Sequence, residues 1–129
     1  MLQLQTIRVV ESQFSGPDFP KLIQTFKEMG MVKYTVSLET GLVTYTDFSG
    51  DTLQQTGYRV QTPIALSSDK VQVQLDLSAH QADQMTFPEF CEAMAKAGVA
   101  YWVSDLETMR CTYFDRSDHG VFSEDIPQI

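Results

Sequence analysis

The feature that most constrains this fold is a stretch written twice. Residues 19–49, FPKLIQTFKEMGMVKYTVSLETGLVTYTDFS, align without a gap on residues 87–117, FPEFCEAMAKAGVAYWVSDLETMRCTYFDRS, at a constant offset of 68. Ten of the 31 positions are identical, where about two would coincide at ordinary residue frequencies. A gapless offset through helix, turn and strands is informative, because one inserted residue would exchange the buried and exposed faces of the next strand. Both copies therefore predict the same helix-hairpin unit. A chain of 129 residues is one ordinary domain, burying roughly two thirds of its unfolded surface. A single domain with an internal duplication, about residues 1–68 and 69–129, is expected, its halves sharing one core.

Read in order, Leu4, Ile7, Val10 or Glu11, and Phe14 fall at helical spacing. Ser15, Gly16 and Pro17 break that helix, and Asp18 stands where an N-cap belongs. Phe19, Leu22, Ile23, Phe26 and Met29 form the stripe of a second helix, closed by Gly30. From Val32 the period changes to two, giving one strand to Leu38, a turn at Glu39-Thr40-Gly41, and a return strand from Val43 to Phe48. Gln54 to Gly57 reads as loop. Tyr58 to Leu66 alternates again through Val60 and Ile64, Pro63 restricting it to an edge strand or a bulge. Residues 69–82 fit two periods: Val71, Val73, Leu75 and Leu77 alternate, while Val71, Leu75, Ala79 and Ala82 repeat helically. The duplication favours a helix. Thr86-Phe87-Pro88-Glu89 has the form of a capping box, and Phe87, Phe90, Cys91, Met94 and Ala97 repeat the earlier stripe as far as Gly98. Strands over Val99–Leu106 and Cys111–Phe114 follow, with a last short strand over Val121–Glu124. The expected class is α+β, a two-layer α/β sandwich of two helix-helix-hairpin repeats related by a pseudo-two-fold, helices on one face of a shared sheet.

Charge narrows the partners. The net charge of −8 is divided unevenly, with five Lys/Arg against six Asp/Glu in residues 1–68 and four against eleven in residues 69–129. Such a surface repels phosphate backbones and anionic lipid, so neither nucleic acid nor membrane is an expected partner. No apolar run approaches the length of a bilayer span and no secretory leader is evident, which leads to the expectation of a soluble cytoplasmic protein.

From His80 to Asp115 the chain reads HQADQMTFPEFCEAMAKAGVAYWVSDLETMRCTYFD, followed by EDIP from Glu124. In its His-Gln, Phe-Pro-x-Phe-Cys, Ala-Gly-Val, Trp-Val and Cys-Thr-Tyr elements it resembles a family of small uncharacterised bacterial and prophage-encoded proteins, some labelled phage envelope protein. The resemblance covers nearly the whole chain, with residues 52–70 departing most. It implies a compact two-layer α/β sandwich and supplies no reaction, cofactor or catalytic residue.

No catalytic motif is present, but the duplication gives each residue an internal comparison. Cys91 and Cys111 match Ile23 and Val43, which marks them as apolar core residues rather than nucleophiles served by His80 or His119. His119, near Asp115, Asp118, Glu124 and Asp125, matches no metal loop and reads as a solvated acidic turn. Neither metal nor cofactor is expected. Glu39/Glu107, Asp47/Asp115 and Tyr45/Tyr113 recur in both halves, and Trp102 matches Tyr34. These are the candidate binding residues. Turn satisfaction and sheet packing explain them in one reading. In the other, the axis pairs like carboxylates into a proton-sharing site in a cleft between the halves, as in a small enzyme. The sequence favours a non-enzymatic binding or regulatory domain, with a protein partner or self-association ahead of a small molecule.

Overall fold

The computed structural model describes residues 2–14 and 16–127. Helix α1 (Leu4–Gln13) and a 3-10 turn (Gly16–Asp18) lead into α2 (Phe19–Glu28) and strands β1 (Met31–Ser37), β2 (Leu42–Asp47) and β3 (Thr52–Thr56). Helices α3 (Lys70–Gln81) and α4 (Phe87–Lys96) precede β4 (Tyr101–Asp105), β5 (Arg110–Phe114) and β6 (Gly120–Asp125). The class is α+β, and the six strands form one open antiparallel sheet in the order β3-β2-β1-β4-β5-β6. Among the described residues no helix is long and apolar enough to cross a membrane.

The Phe-Pro helices form where their stripes require. Leu22, Ile23 and Phe26 are the buried side of α2, and Phe90, Cys91, Met94 and Ala95 that of α4. A proline in the first turn costs no hydrogen bond, since those N–H groups have no intrahelical acceptor. Thr86 Oγ1 accepts from the Glu89 N–H at 3.2 Å while Glu89 Oε1 accepts from the Thr86 N–H at 2.8 Å, completing the capping box. Asp18 occupies the N-cap of α2 without accepting such a bond.

Cross-strand partners point to the same face of an antiparallel sheet. Tyr34 faces Tyr45, Val36 faces Trp102, Trp102 faces Tyr113, Val43 faces Gln55 and Cys111 faces Glu124. All the helices reach this face: α1 through Glu11 to Tyr45, α2 through Phe26 to Tyr34, α3 through Gln81 to Glu124, and α4 through Phe90 to Trp102. The other face is mostly polar and partly exposed, with Thr44, Thr35, Val103, Thr112 and Ser123 side by side across β2, β1, β4, β5 and β6.

The segment between the halves departs from the sequence expectation. The third strand is Thr52–Thr56, and Tyr58–Leu66 is an irregular strap. In Thr52–Thr56 the inward residues are Leu53 and the polar Gln55, so an edge strand carries little hydrophobic alternation. The alternation of Tyr58, Val60 and Ile64 arises because the strap buries one side against α4 without pairing as a strand. Glu92 of α4 accepts from the Tyr58 hydroxyl and from the Gln61 and Thr62 N–H groups, each of the latter at 3.0 Å. The Ala65 N–H then donates to the Ala95 carbonyl at 3.0 Å.

Residues 70–81 are helical, as the duplication favoured, but the buried side is Val73, Asp76 and Leu77. Val71 and Leu75, common to both sequence patterns, are 65% and 60% exposed.

Candidate functional site

Where the ends of α1 and α3 meet the first turns of α2 and α4, the helix layer leaves a cleft of about 470 Å³ over the sheet. Its floor is Tyr34 of β1, Trp102 of β4 and Tyr113 of β5. Phe87 and Phe90 rise from α4, their rings edge-on to the Trp102 indole with centroids 6.3 and 5.6 Å away. The Tyr113 ring is 5.6 Å from the indole. Such spacings are those of packed aromatic pairs.

Polar side chains are set among the aromatic ones, Glu11, His80, Gln81, Asp83, Thr86 and Glu124 in the lining. His80, one turn beyond Leu77 on α3, stacks on Phe90 at 4.4 Å and 14°. Its Nδ1 lies 3.3 Å from the Met85 carbonyl, an acceptor only, so Nδ1 carries the proton of the neutral ring. Burial pushes the His80 pKa below its usual value, which keeps the imidazole uncharged at neutral pH. Glu124 of β6 lines the cleft and accepts from Gln81 Nε2 at 3.0 Å. Burial pushes its carboxyl pKa up, with the Gln81 bond opposing. Glu11 of α1 accepts from the Tyr45 hydroxyl and from Gln55 Nε2, each at 2.8 Å. Burial first, and then the Glu11 charge, raise the Tyr45 pKa, so that phenol remains a donor.

The candidates from sequence fall into three places. Trp102 and Tyr113 line the cleft. Tyr45 is buried behind it, joined to the lining through Glu11. The repeated carboxylates lie elsewhere. Glu39 is exposed and 3.6 Å from Arg116, whereas Glu107 is exposed in the turn between β4 and β5. Because β1 and β4 run antiparallel, with Ser37 opposite Tyr101 and Lys33 opposite Asp105, the turns carrying Glu39 and Glu107 sit at opposite ends of the sheet. Like carboxylates are thus kept apart, and the proton-sharing pair that the duplication allowed does not form. Asp47 Oδ1 accepts from the Ser49 hydroxyl at 2.6 Å and the N–H groups of Ser49 and Asp51. Asp115 Oδ1 likewise accepts from the N–H groups of Ser117 and His119, at 2.8 and 2.9 Å. Both pKa values are lowered, first by the Ser49 side chain for Asp47 and first by the His119 backbone for Asp115. Each aspartate closes a turn.

Sequence reasoning did not single out Glu11, Glu124 or the aromatic partners of His80 as a site. One clue was present: Glu11 shares the helical spacing of Leu4, Ile7 and Phe14, and a charged residue on an apolar stripe needs a buried partner. Cys91 and Cys111 are buried and free, with thiols pushed by burial up to about 12 and about 11, and neither lines the cleft. Among the described residues no group of three or more His, Cys, Asp and Glu converges as metal ligands would.

The profile of a family described as "Protein of unknown function (DUF1398)" matches residues 8–125. Uncharacterized proteins of Mycobacterium bovis and of two strains of Mycobacterium tuberculosis are each 34% identical to the chain over 102 residues, 78% of its length. The match takes in 62% of each mycobacterial protein, so the chain spans less than two thirds of the relatives' length.

Proposed function

This chain belongs to the DUF1398 family of proteins of unknown function, and from that premise we propose that it is a non-catalytic binding domain whose ligand is a small molecule held in the cleft between its two halves. The observation that carries this reading is the cleft itself. Its volume of about 470 Å³, its aromatic walls and the polar groups set among them are what small-molecule sites have in common. A binding role suits it better than catalysis, because the thiols are buried elsewhere and the repeated carboxylates are turn residues.

The same reading takes the fold as a two-layer α/β sandwich of two helix-helix-three-strand units about a pseudo-two-fold. Thr35 faces Val103, its own counterpart at the offset of 68. A two-fold through that pair exchanges Lys33–Asp105 with Tyr101–Ser37, both of which are paired across β1 and β4. Left-handed residues recur in step as well: Gly30 with Gly98, Gly41 with Met109, Gly50 with Asp118. The cleft draws its lining from both units, so duplication created a site that neither unit would have alone. The charge of −8 favours ligands other than nucleic acid or anionic membrane, in keeping with a cytoplasmic role.

A second reading, protein contact, rests on the outer side of α3, where Val71 and Leu75 stand one turn apart at 65% and 60% exposure. Native mass spectrometry of protein purified from its own host separates the two. The cleft reading expects a retained small molecule at one per chain, lost when Phe87→Ala and Phe90→Leu open the aromatic wall. A partner protein or second copy retained instead, and lost on Leu75→Glu, would replace it.

A further inference from the structure

We propose that the ligand is an organic cation, an amine or quaternary ammonium group on an apolar body, with its charge beside Glu124 and its body on the Trp102, Phe87 and Tyr113 rings. This rests on the cleft being a small-molecule site and adds the chemistry of what it takes. Among the described residues the charged side chains of the lining are Glu11, Asp83 and Glu124, with no lysine or arginine. His80 contributes no positive charge, since burial holds it neutral.

Nearby cations are committed elsewhere. Arg110 is opposite Asp125 and bonded to it at 2.7 Å on the far side of the sheet. Arg8 is bonded to Gln55 Oε1 at 2.9 Å, and Glu11 is already served by Gln55 and Tyr45. Glu124 differs. Among the described residues its carboxylate has one protein donor, Gln81, and no ion-pair partner. A half-buried carboxylate of this kind is poorly solvated, and a bound cation supplies the charge it lacks. The aromatic walls add to the same preference, because ring faces attract ammonium groups and do so more strongly when water is excluded. An anion meets the opposite: three carboxylates and, among the described residues, no lysine or arginine to pair with it.

The test uses the sole tryptophan, Trp102, as reporter of cleft occupancy. The intact chain is titrated with benzyltrimethylammonium, with neopentylbenzene, its uncharged carbon isostere, and with phenylmethanesulfonate, while Trp102 fluorescence is followed. The ammonium compound is expected to bind about tenfold more tightly than the isostere, the size of a cation–π plus ion-pair preference at a half-buried site. The sulfonate should bind more weakly than either. Glu124→Gln should remove most of the cation preference while leaving the affinity for neopentylbenzene unchanged. Asp83→Asn, at a position with φ of +60° that asparagine tolerates, provides a second neutralisation that keeps the fold, with a smaller loss. Equal affinity for the ammonium compound and its isostere, unaltered by Glu124→Gln, would overturn the cation while leaving a small-molecule cleft. If no compound moved Trp102 fluorescence, the cleft reading would fall with it.

Discussion

Gly30 and Gly98 close the two Phe-Pro helices at φ of +93° and +88°, so replacing either with alanine imposes the same backbone strain. That strain is about 1–2 kcal/mol for an L-residue in the left-handed region, offset by about 0.4–1 kcal/mol from the stiffer unfolded chain. What the new methyl meets is different. At Gly30 it lies 3.2 Å from Phe48 Cδ1, on a ring 77% exposed and free to turn aside. At Gly98 it lies 2.6 Å from both the Ser67 carbonyl oxygen and Ser68 Cα, backbone atoms that cannot rotate away. The segment that follows the strap is pinned to the same helix end, the Asp69 N–H donating to the Ala97 carbonyl at 2.8 Å. Forcing it outward adds about 1–3 kcal/mol, the usual cost of overpacking. Gly30→Ala should therefore cost about 1 kcal/mol, and Gly98→Ala about 2–4 kcal/mol. Urea unfolding followed by Trp102 fluorescence gives both values, provided the slope is unchanged between variants. Equal costs would mean that Ser67 and Ser68 do not pack on the end of α4, and the reasoning from that contact would be refuted.

Phe26 and Met94 are both fully buried, and Phe26→Ala and Met94→Ala should each cost about 2–5 kcal/mol in the same assay; a loss below about 1 kcal/mol would place the residue outside the core. Cys91 and Cys111, with thiols pushed up to about 12 and about 11, should resist a polar disulfide reagent at neutral pH until denaturant is added, and fast native labelling of either would contradict their burial. Hydrogen bonds from Thr62, Tyr58 and Gln61 hold the Glu92 carboxyl down to about 2 from 4.5. A depressed carboxylate stabilises the fold above its unfolded pKa and loses that contribution as pH falls, here through the interval from about 4.5 to about 2. Glu92→Gln should flatten thermal stability over that acid interval, and an unchanged pH profile would show that Glu92 does not hold the strap.

The parts legible in the sequence are those whose signal is local. Phe19–Glu28 and Phe87–Lys96 were readable because stripe, proline and closing glycine coincide, and the hairpins because Tyr34-Val36-Leu38 alternate. Thr52–Thr56 was not, since its inward Gln55 is polar and its bonds go to Glu11 and Tyr45, 44 and 10 residues away. On α3, Val71 and Leu75 look buried in the sequence, yet His80 stacking on Phe90 turns the Val73–Leu77 side inward. The cleft had no local signature at all. Glu11, His80 and Glu124 are far apart in the chain and come to one cleft only in the folded protein. Identity at the offset of 68 drew attention to Glu39, Glu107, Asp47 and Asp115, and repetition in them accompanies turn geometry.

The central claim, a small-molecule cleft over Trp102, is tested most directly by heteronuclear NMR. The single tryptophan gives one indole N–H resonance, reporting on the cleft floor. The low-molecular-weight fraction of a host extract is added to the labelled protein. A shift of the Trp102 indole resonance together with the amides of Gln81 and Phe87, while those of Thr35 and Thr112 on the opposite sheet face stay fixed, is the predicted result. Shifts confined to the opposite face or to the outer side of α3, with the indole resonance unmoved, would contradict it.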